Sequence, residues 1–227
     1  MLNDSGNDVQ QSIASLLINA FAREFWLNAQ DELQTIYEAA QSVTVGDTLK
    51  LDQQEQVRFR AQARHYSLNS ALRRAAAKSE VCCTTATTIP KGENYLIISS
   101  LGIKLSRLGI NHDEKLMRGA KHRKLLAELN GEYEGYTPDM FSPLQQEPHR
   151  GGGSLGAFLI NINPPKHMSQ ESMLDLRVVV PFTNLKGYHF NWSVTDLLGV
   201  YNSANEQITP DLVIPVLKKQ LKEQEGS

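Results

Sequence analysis

The chain has 227 residues, of which 41% are apolar and 21% charged, with a formal net charge of −2. That length suits one domain or two small ones around a buried core, and the composition excludes disordered, collagen-like and coiled-coil chains. The longest mostly apolar stretch, Ile13 to Ala22, is interrupted by Ser15 and Asn19 and falls well short of the roughly 18 residues a membrane span needs; the acidic start MLNDSGND also lacks the basic region of a signal peptide, so a cytoplasmic protein without membrane association is expected.

From Val9 to Gln41 apolar residues recur at three-and-four spacing: Ile13, Leu16, Leu17, Ala20 and Phe21, then Leu33, Ile36, Tyr37 and Ala40 after a polar break at Asn28 to Glu32. Two helices, or one bent helix, are predicted. Val43 to Leu51, with Gly46-Asp47, reads as a turn or short hairpin. Asp52 and Glu55 have the spacing of a capping box, which predicts a long helix from there to about Lys78. Its packed stripe is Val57, Ala61, Leu68, Leu72 and Ala75. Val81 to Ile89 and Tyr95 to Leu101 read as the strands of a β-hairpin.

A third helix is predicted from Asn111, with Asp113 and Glu114 in its first turn, to about Asn130-Gly131. The glycine- and proline-rich residues 131 to 154 read as a loop or linker. Leu155 to Asn163, Leu174 to Phe182 and Tyr188 to Val194 alternate with period two and predict an antiparallel meander with one packed and one polar face. Pro215 opens a final short helix. The expected class is α+β: a helical N-terminal part with a β-hairpin (1–130), the loop (131–154), and a C-terminal antiparallel sheet with a short terminal helix (155–227), together forming one domain or two.

The near-neutral total hides a sorting of charge. Residues 1–57 carry nine acids against Arg23 and Lys50, whereas residues 58–124 carry fourteen bases against Glu80, Glu93, Asp113 and Glu114, and residues 125–227 return to a net of −5. A central block of net +10 either faces an anionic partner or is neutralised by its acidic flanks. On the helix from 52 to 78, Arg60, Arg64, Ser67, Ala71, Arg74 and Lys78 fall on one side and form a cationic ridge. Guanidinium groups in such a row can contact successive phosphates, so Arg60, Arg64, Arg74 and Lys78 are assigned to nucleic-acid binding, supported by Arg58, Arg73, Lys115, Arg118, Lys121 and Lys124. His65 and Tyr66 lie on the same helix and can add stacking or phosphate hydrogen bonds. DNA is preferred over RNA because no RNA-module motif is visible.

Two alternatives come from other classes. The polar face of the meander collects Asn161, Asn163, Asp175, Arg177, His189 and Asn191; Asp175 and His189 could pair as general acid and base, with Arg177 holding an anion and Glu171 a second carboxylate, as in a metal-dependent nuclease or phosphoesterase. The other alternative pairs the acidic and basic parts with a protein partner or between copies of a homo-oligomer. Gly152-Gly153-Ser154-Leu155-Gly156 matches the GxSxG expression of serine hydrolases but lacks its strand–turn–helix setting. His112-Asp113 is explained more simply as a helix cap. Cys82 and Cys83, adjacent and unaccompanied, read as a buried reduced pair in a strand. Neither a cofactor nor a metal is expected.

Overall fold

The computed structural model describes residues 4–46, 49–88, 92–136 and 154–206. Three helices come first, α1 (Asp4–Ala20), α2 (Arg23–Val45) and α3 (Gln53–Lys78), followed by strands β1 (Cys82–Thr87), β2 (Asn94–Ser100) and β3 (Ile103–Asn111). A short helix α4 (Lys121–Ala127) runs into a 3-10 segment (Glu128–Tyr136); β4 (Leu155–Asn163), β5 (Asp175–Pro181), β6 (Tyr188–Ser193) and helix α5 (Val194–Glu206) complete the α+β fold. Among the described residues no helix is long and apolar enough to cross a membrane.

The first helical region breaks at Phe21-Ala22 rather than at Asn28 to Glu32. Phe21, Phe25 and Trp26 are fully buried and pack ring on ring within 5.3 Å of one another, which anchors the corner there. The polar residues beyond sit on a helix whose buried positions, Phe25, Trp26, Ala29, Leu33, Tyr37 and Ala40, keep helical spacing throughout. Helix α3 begins as expected, with the Glu55 carboxylate accepting the Asp52 backbone N–H at 3.1 Å. Val45 still belongs to α2, so the turn expected from Val43 starts later; Asp47 lies outside the described residues.

The six strands form one sheet in sequential order. All neighbours are antiparallel except β3 and β4, which run parallel from Ile103 opposite Leu155 to Asn111 opposite Asn163. The hairpin and the C-terminal strands are thus hydrogen-bonded into the same sheet. Alternate residues serve two cores. Leu96, Ile98, Ile103, Leu105, Ala157, Leu159, Val178, Val180 and Phe190 pack with α1, α2, α3 and α5. Leu108, Ile110, Phe158, Ile160 and Val179 pack on the other face with Met117, Leu126, Ala127 and Leu185. Seven consecutive residues of β4 are buried, as a strand covered on both faces requires, so the half-exposed meander is corrected.

The helix expected over 111–130 is also corrected. Asn111 ends β3, and its N–H is held by Glu114 Oε2 at 3.1 Å in a turn; only Lys121–Ala127 becomes α-helical. Cys82 is exposed and Cys83 half-buried, because among the described residues β1 is an edge strand paired with β2 alone. Val194, expected to end β6, instead opens α5: Ser193 Oγ accepts the Asp196 N–H at 2.9 Å and donates to Asp196 Oδ2 at 2.7 Å, a reciprocal helix start. Pro215 and its expected helix lie outside the described residues.

Gly156 fastens α4 to the sheet. Its N–H donates to Asn130 Oδ1 at 2.8 Å, and the Asn130 amide donates in turn to the carbonyls of Gly156 and Pro181 at 2.9 Å. A Cβ on Gly156 would stand 1.9 Å from the Leu126 carbonyl oxygen. Gly156→Ala is therefore expected to cost about 2 kcal/mol in urea unfolding, while Gly119→Ala, which meets nothing within 4 Å, stays within about 0.5 kcal/mol of wild type.

Candidate anion-binding cleft

Helices α2 and α3 pack antiparallel, and the cationic ridge is their seam. Arg60 Nη1 donates to Gln41 Oε1 at 2.8 Å. One turn on, the Arg64 guanidinium lies 4.3 Å from the centroid of the Tyr37 ring. At the far end Arg74 and Lys78 both reach Glu32 at 2.7 Å. The open ridge expected from α3 alone is corrected: Ser67 and Ala71 are small, α2 approaches along them, and the flanking bases are drawn against its side. Lys78 above all, together with Arg74, holds the Glu32 carboxyl below the usual carboxylate range.

Beyond the N-terminal half of α3 the seam opens into a cleft of about 520 Å³ between α3, the β2–β3–β4 part of the sheet and the start of α4. Val57 and Ala61, expected in the packed stripe, form part of its wall instead. Five bases line it, Arg60, Arg64, Arg107, Arg123 and Lys166, against one acid, Glu93, and that carboxylate is in contact with His65.

The floor is a polar relay of fixed direction. Arg107 Nη1 donates to Asn161 Oδ1 at 2.8 Å, Asn161 Nδ2 to the Tyr37 hydroxyl at 2.8 Å, and that hydroxyl to Asn163 Oδ1 at 2.5 Å. Arg107 Nε also donates to Asn69 Oδ1 at 3.0 Å, and Arg64 donates to the Gln170 carbonyl and to its side-chain oxygen. Every acceptor on these two arginines is neutral. Among the described residues no carboxylate pairs with either, and Nε of Arg64 and of Arg123 is buried without a hydrogen bond. Burial pulls Arg64 and Arg107 down to about 10 from an ordinary 12.5. On one wall Tyr95 and His122 stack, with centroids 4.6 Å apart.

None of the other expected nucleic-acid residues lines this cleft. Arg58 is exposed near the N-terminal end of α3. Arg73 is exposed and donates to Thr85 Oγ1 at 3.2 Å. Tyr66 is 65% and Phe59 37% exposed; with Arg73 they recur every seven residues along the outer face of α3. Lys121 stands in a shallow recess beyond the Tyr95–His122 stack, and Lys124 lies further along beside Glu128. Lys115 is exposed, and Arg118 is paired with Glu114.

The acid–base pair expected on the C-terminal sheet is not assembled. Arg177 lies opposite Ser193, Val179 opposite Asn191 and Pro181 opposite Tyr188, so Asp175 and His189 are at opposite ends of the β5–β6 ladder, about 20 Å apart along the strands. Asp175 instead accepts Arg177 Nη1 at 2.7 Å, and His189 is buried against Phe182 and Tyr133. Asn161 and Asn163 point to the helical side, away from Arg177. Glu171 is exposed in the β4–β5 connection, and among the described residues no group of three potential metal-binding side chains occurs. Ser154 leads directly into a strand, which rules out the serine-hydrolase elbow. His112 and Asp113 are exposed in a turn rather than capping a helix.

Sequence reasoning missed Arg107, Asn161, Asn163, Arg123, Lys166 and Gln170 as cleft residues, and Tyr37 as the buried support beneath them. The available signal was Arg107, a charge on the inward face of Ile103, Leu105 and Gly109. No family model, curated protein or solved structure matches this chain.

Burial depresses the His189 pKa to about 4 from an ordinary 6.5. As pH falls through that interval the unfolded chain binds the proton first, so stability present above pH 6.5 drains away towards pH 4, by at most about 1.4 kcal/mol per pH unit. Urea unfolding at pH 7 and pH 5 is expected to show a smaller loss in His189→Gln than in wild type.

Proposed function

We propose that this chain binds nucleic acid, with the arginine cleft as its principal phosphate site and the outer face of α3 as a stacking wall. The observation that carries this reading is the pair Arg64 and Arg107, recessed in one cleft and compensated only by neutral oxygens and the Tyr37 ring. Withdrawing a cation from water costs free energy that neutral acceptors only partly return. An entering phosphate supplies the missing charge through charge-assisted hydrogen bonds. Arg60, Arg123 and Lys166 raise the potential at the same place.

Arg58, Phe59, Tyr66 and Arg73 are exposed on the side of α3 turned away from the cleft, and exposed rings with bases near them favour a nucleic-acid strand that crosses the helix over a small inorganic anion. Two exposed rings flanked by Arg58 and Arg73 give unpaired bases something to stack on outside the cleft. Single-stranded DNA is the partner this surface suits best. Arg74 and Lys78 share the Glu32 carboxylate and Arg118 pairs with Glu114, so they contribute mainly to the long-range field.

Fluorescence anisotropy with a labelled single-stranded DNA of about 12 nucleotides tests this. Arg58→Glu/Lys166→Glu, both at exposed positions, is expected to weaken binding about tenfold and to reduce the salt slope by roughly one for each phosphate that is no longer neutralised. Arg74→Gln/Lys78→Gln is expected to stay within about twofold of wild type, because those charges are already committed to Glu32. Failure of the wild-type protein to bind at low salt, or an equal weakening in both variants, overturns the reading.

A further inference from the structure

We infer that the cleft reads the end of a strand, seating a terminal phosphate monoester between Arg64 and Arg107 rather than an internal phosphodiester. This rests on the nucleic-acid reading above and adds what part of the polymer the cleft takes.

The first argument is shape. Arg64 is 7% exposed and Arg107 half-buried, above a fully buried Tyr37 and an Asn161 that is 1% exposed, so the guanidinium groups belong to the floor and not to the rim. A continuous strand would have to bend an internal phosphate down to that floor, whereas a free end reaches it without a bend. The volume, about 520 Å³, falls in the range of roughly 300 to 1,000 Å³ typical of small-ligand pockets. A strand tip fits that description, whereas a duplex backbone is met on an open surface.

Charge makes the second argument. Two recessed guanidinium groups without a carboxylate call for more than one negative charge. An internal phosphodiester carries one, while a terminal monoester carries about 1.5 to 2 at neutral pH and offers three acceptor oxygens. Arg107 is held in orientation by Asn69 and Asn161, Arg64 by Gln170 and Tyr37, so little side-chain ordering remains for the ligand to impose. The Tyr95–His122 stack gives the last base a planar neighbour. Glu93, the one acid of the lining, is occupied by His65 and does not neutralise the floor.

The test uses four internally labelled single-stranded DNAs of one sequence, carrying a 5′-phosphate, a 3′-phosphate, both, or hydroxyl groups at both ends. At least one singly phosphorylated strand is expected to bind about tenfold tighter than the hydroxyl-ended strand, which also identifies the end that is read. Arg107→Gln and, separately, Arg123→Gln are expected to shrink that preference to within about twofold, with melting temperatures confirming that each variant is folded. Equal binding of all four strands by wild type overturns end recognition and leaves the nucleic-acid reading standing. Binding of none of them overturns both.

Discussion

Tyr37 is where the polar groups of the helical layer and of the sheet meet. Its ring lies beneath the Arg64 guanidinium, and its hydroxyl sits between two asparagines of β4, accepting from Asn161 and donating to Asn163. Burial raises the pKa of this phenol, which keeps it a neutral hydroxyl, able to donate and accept at once. Removing it would strand the Asn161 amide and leave Arg64 over a gap, so the seam between α2 and α3 and the floor of the cleft depend on one side chain. This network keeps two arginines in place with no counter-charge, which is the electrostatic basis of the proposed site.

The sheet supplies the rest of that geometry. Parallel pairing sets Arg107 of β3 opposite Leu159 and Gly109 opposite Asn161. Gly109 matters here because a Cβ at that position would lie 3.1 Å from Asn161 Nδ2, crowding the amide that carries the relay. On the opposite face Gly156 and Asn130 fix α4, and α4 carries His122 and Arg123 to the cleft. Both layers must be in register before the cleft exists, so no isolated helix or hairpin of this chain can reproduce it.

Local signals are legible in the sequence and non-local ones are not. The Asp52–Glu55 capping box, the hairpin either side of Pro90 and the span of β4 follow from spacing within a few residues, and all three occur. The helix predicted from Asn111 begins only at Lys121, because Asn111, Asp113 and Glu114 only resemble a helix start, while the alternation before them, Ile103, Leu105, Leu108 and Ile110, changes phase at Arg107 and hides a strand buried on both faces. Spacing alone puts the polar residues of β4 and β5 on one face; a parallel neighbour on one side and α3 above place Asn161 and Asn163 among the helices instead. Charge sorting by segment marks residues 58–124 as a basic block. It does not say which bases are committed to Glu32 and which remain over the cleft, because that depends on how α2 lies against α3.

Nitrogen-15 NMR of the arginine Nε–Hε groups, followed while a short single-stranded DNA is added, addresses the central claim at the atoms concerned. Large shifts of Arg64, Arg107 and Arg123, with Arg74 nearly stationary beside Glu32, are the predicted result. Shifts confined to Arg58, Arg73 and Arg74, with the cleft arginines unmoved, would contradict the assignment of the cleft as the phosphate site.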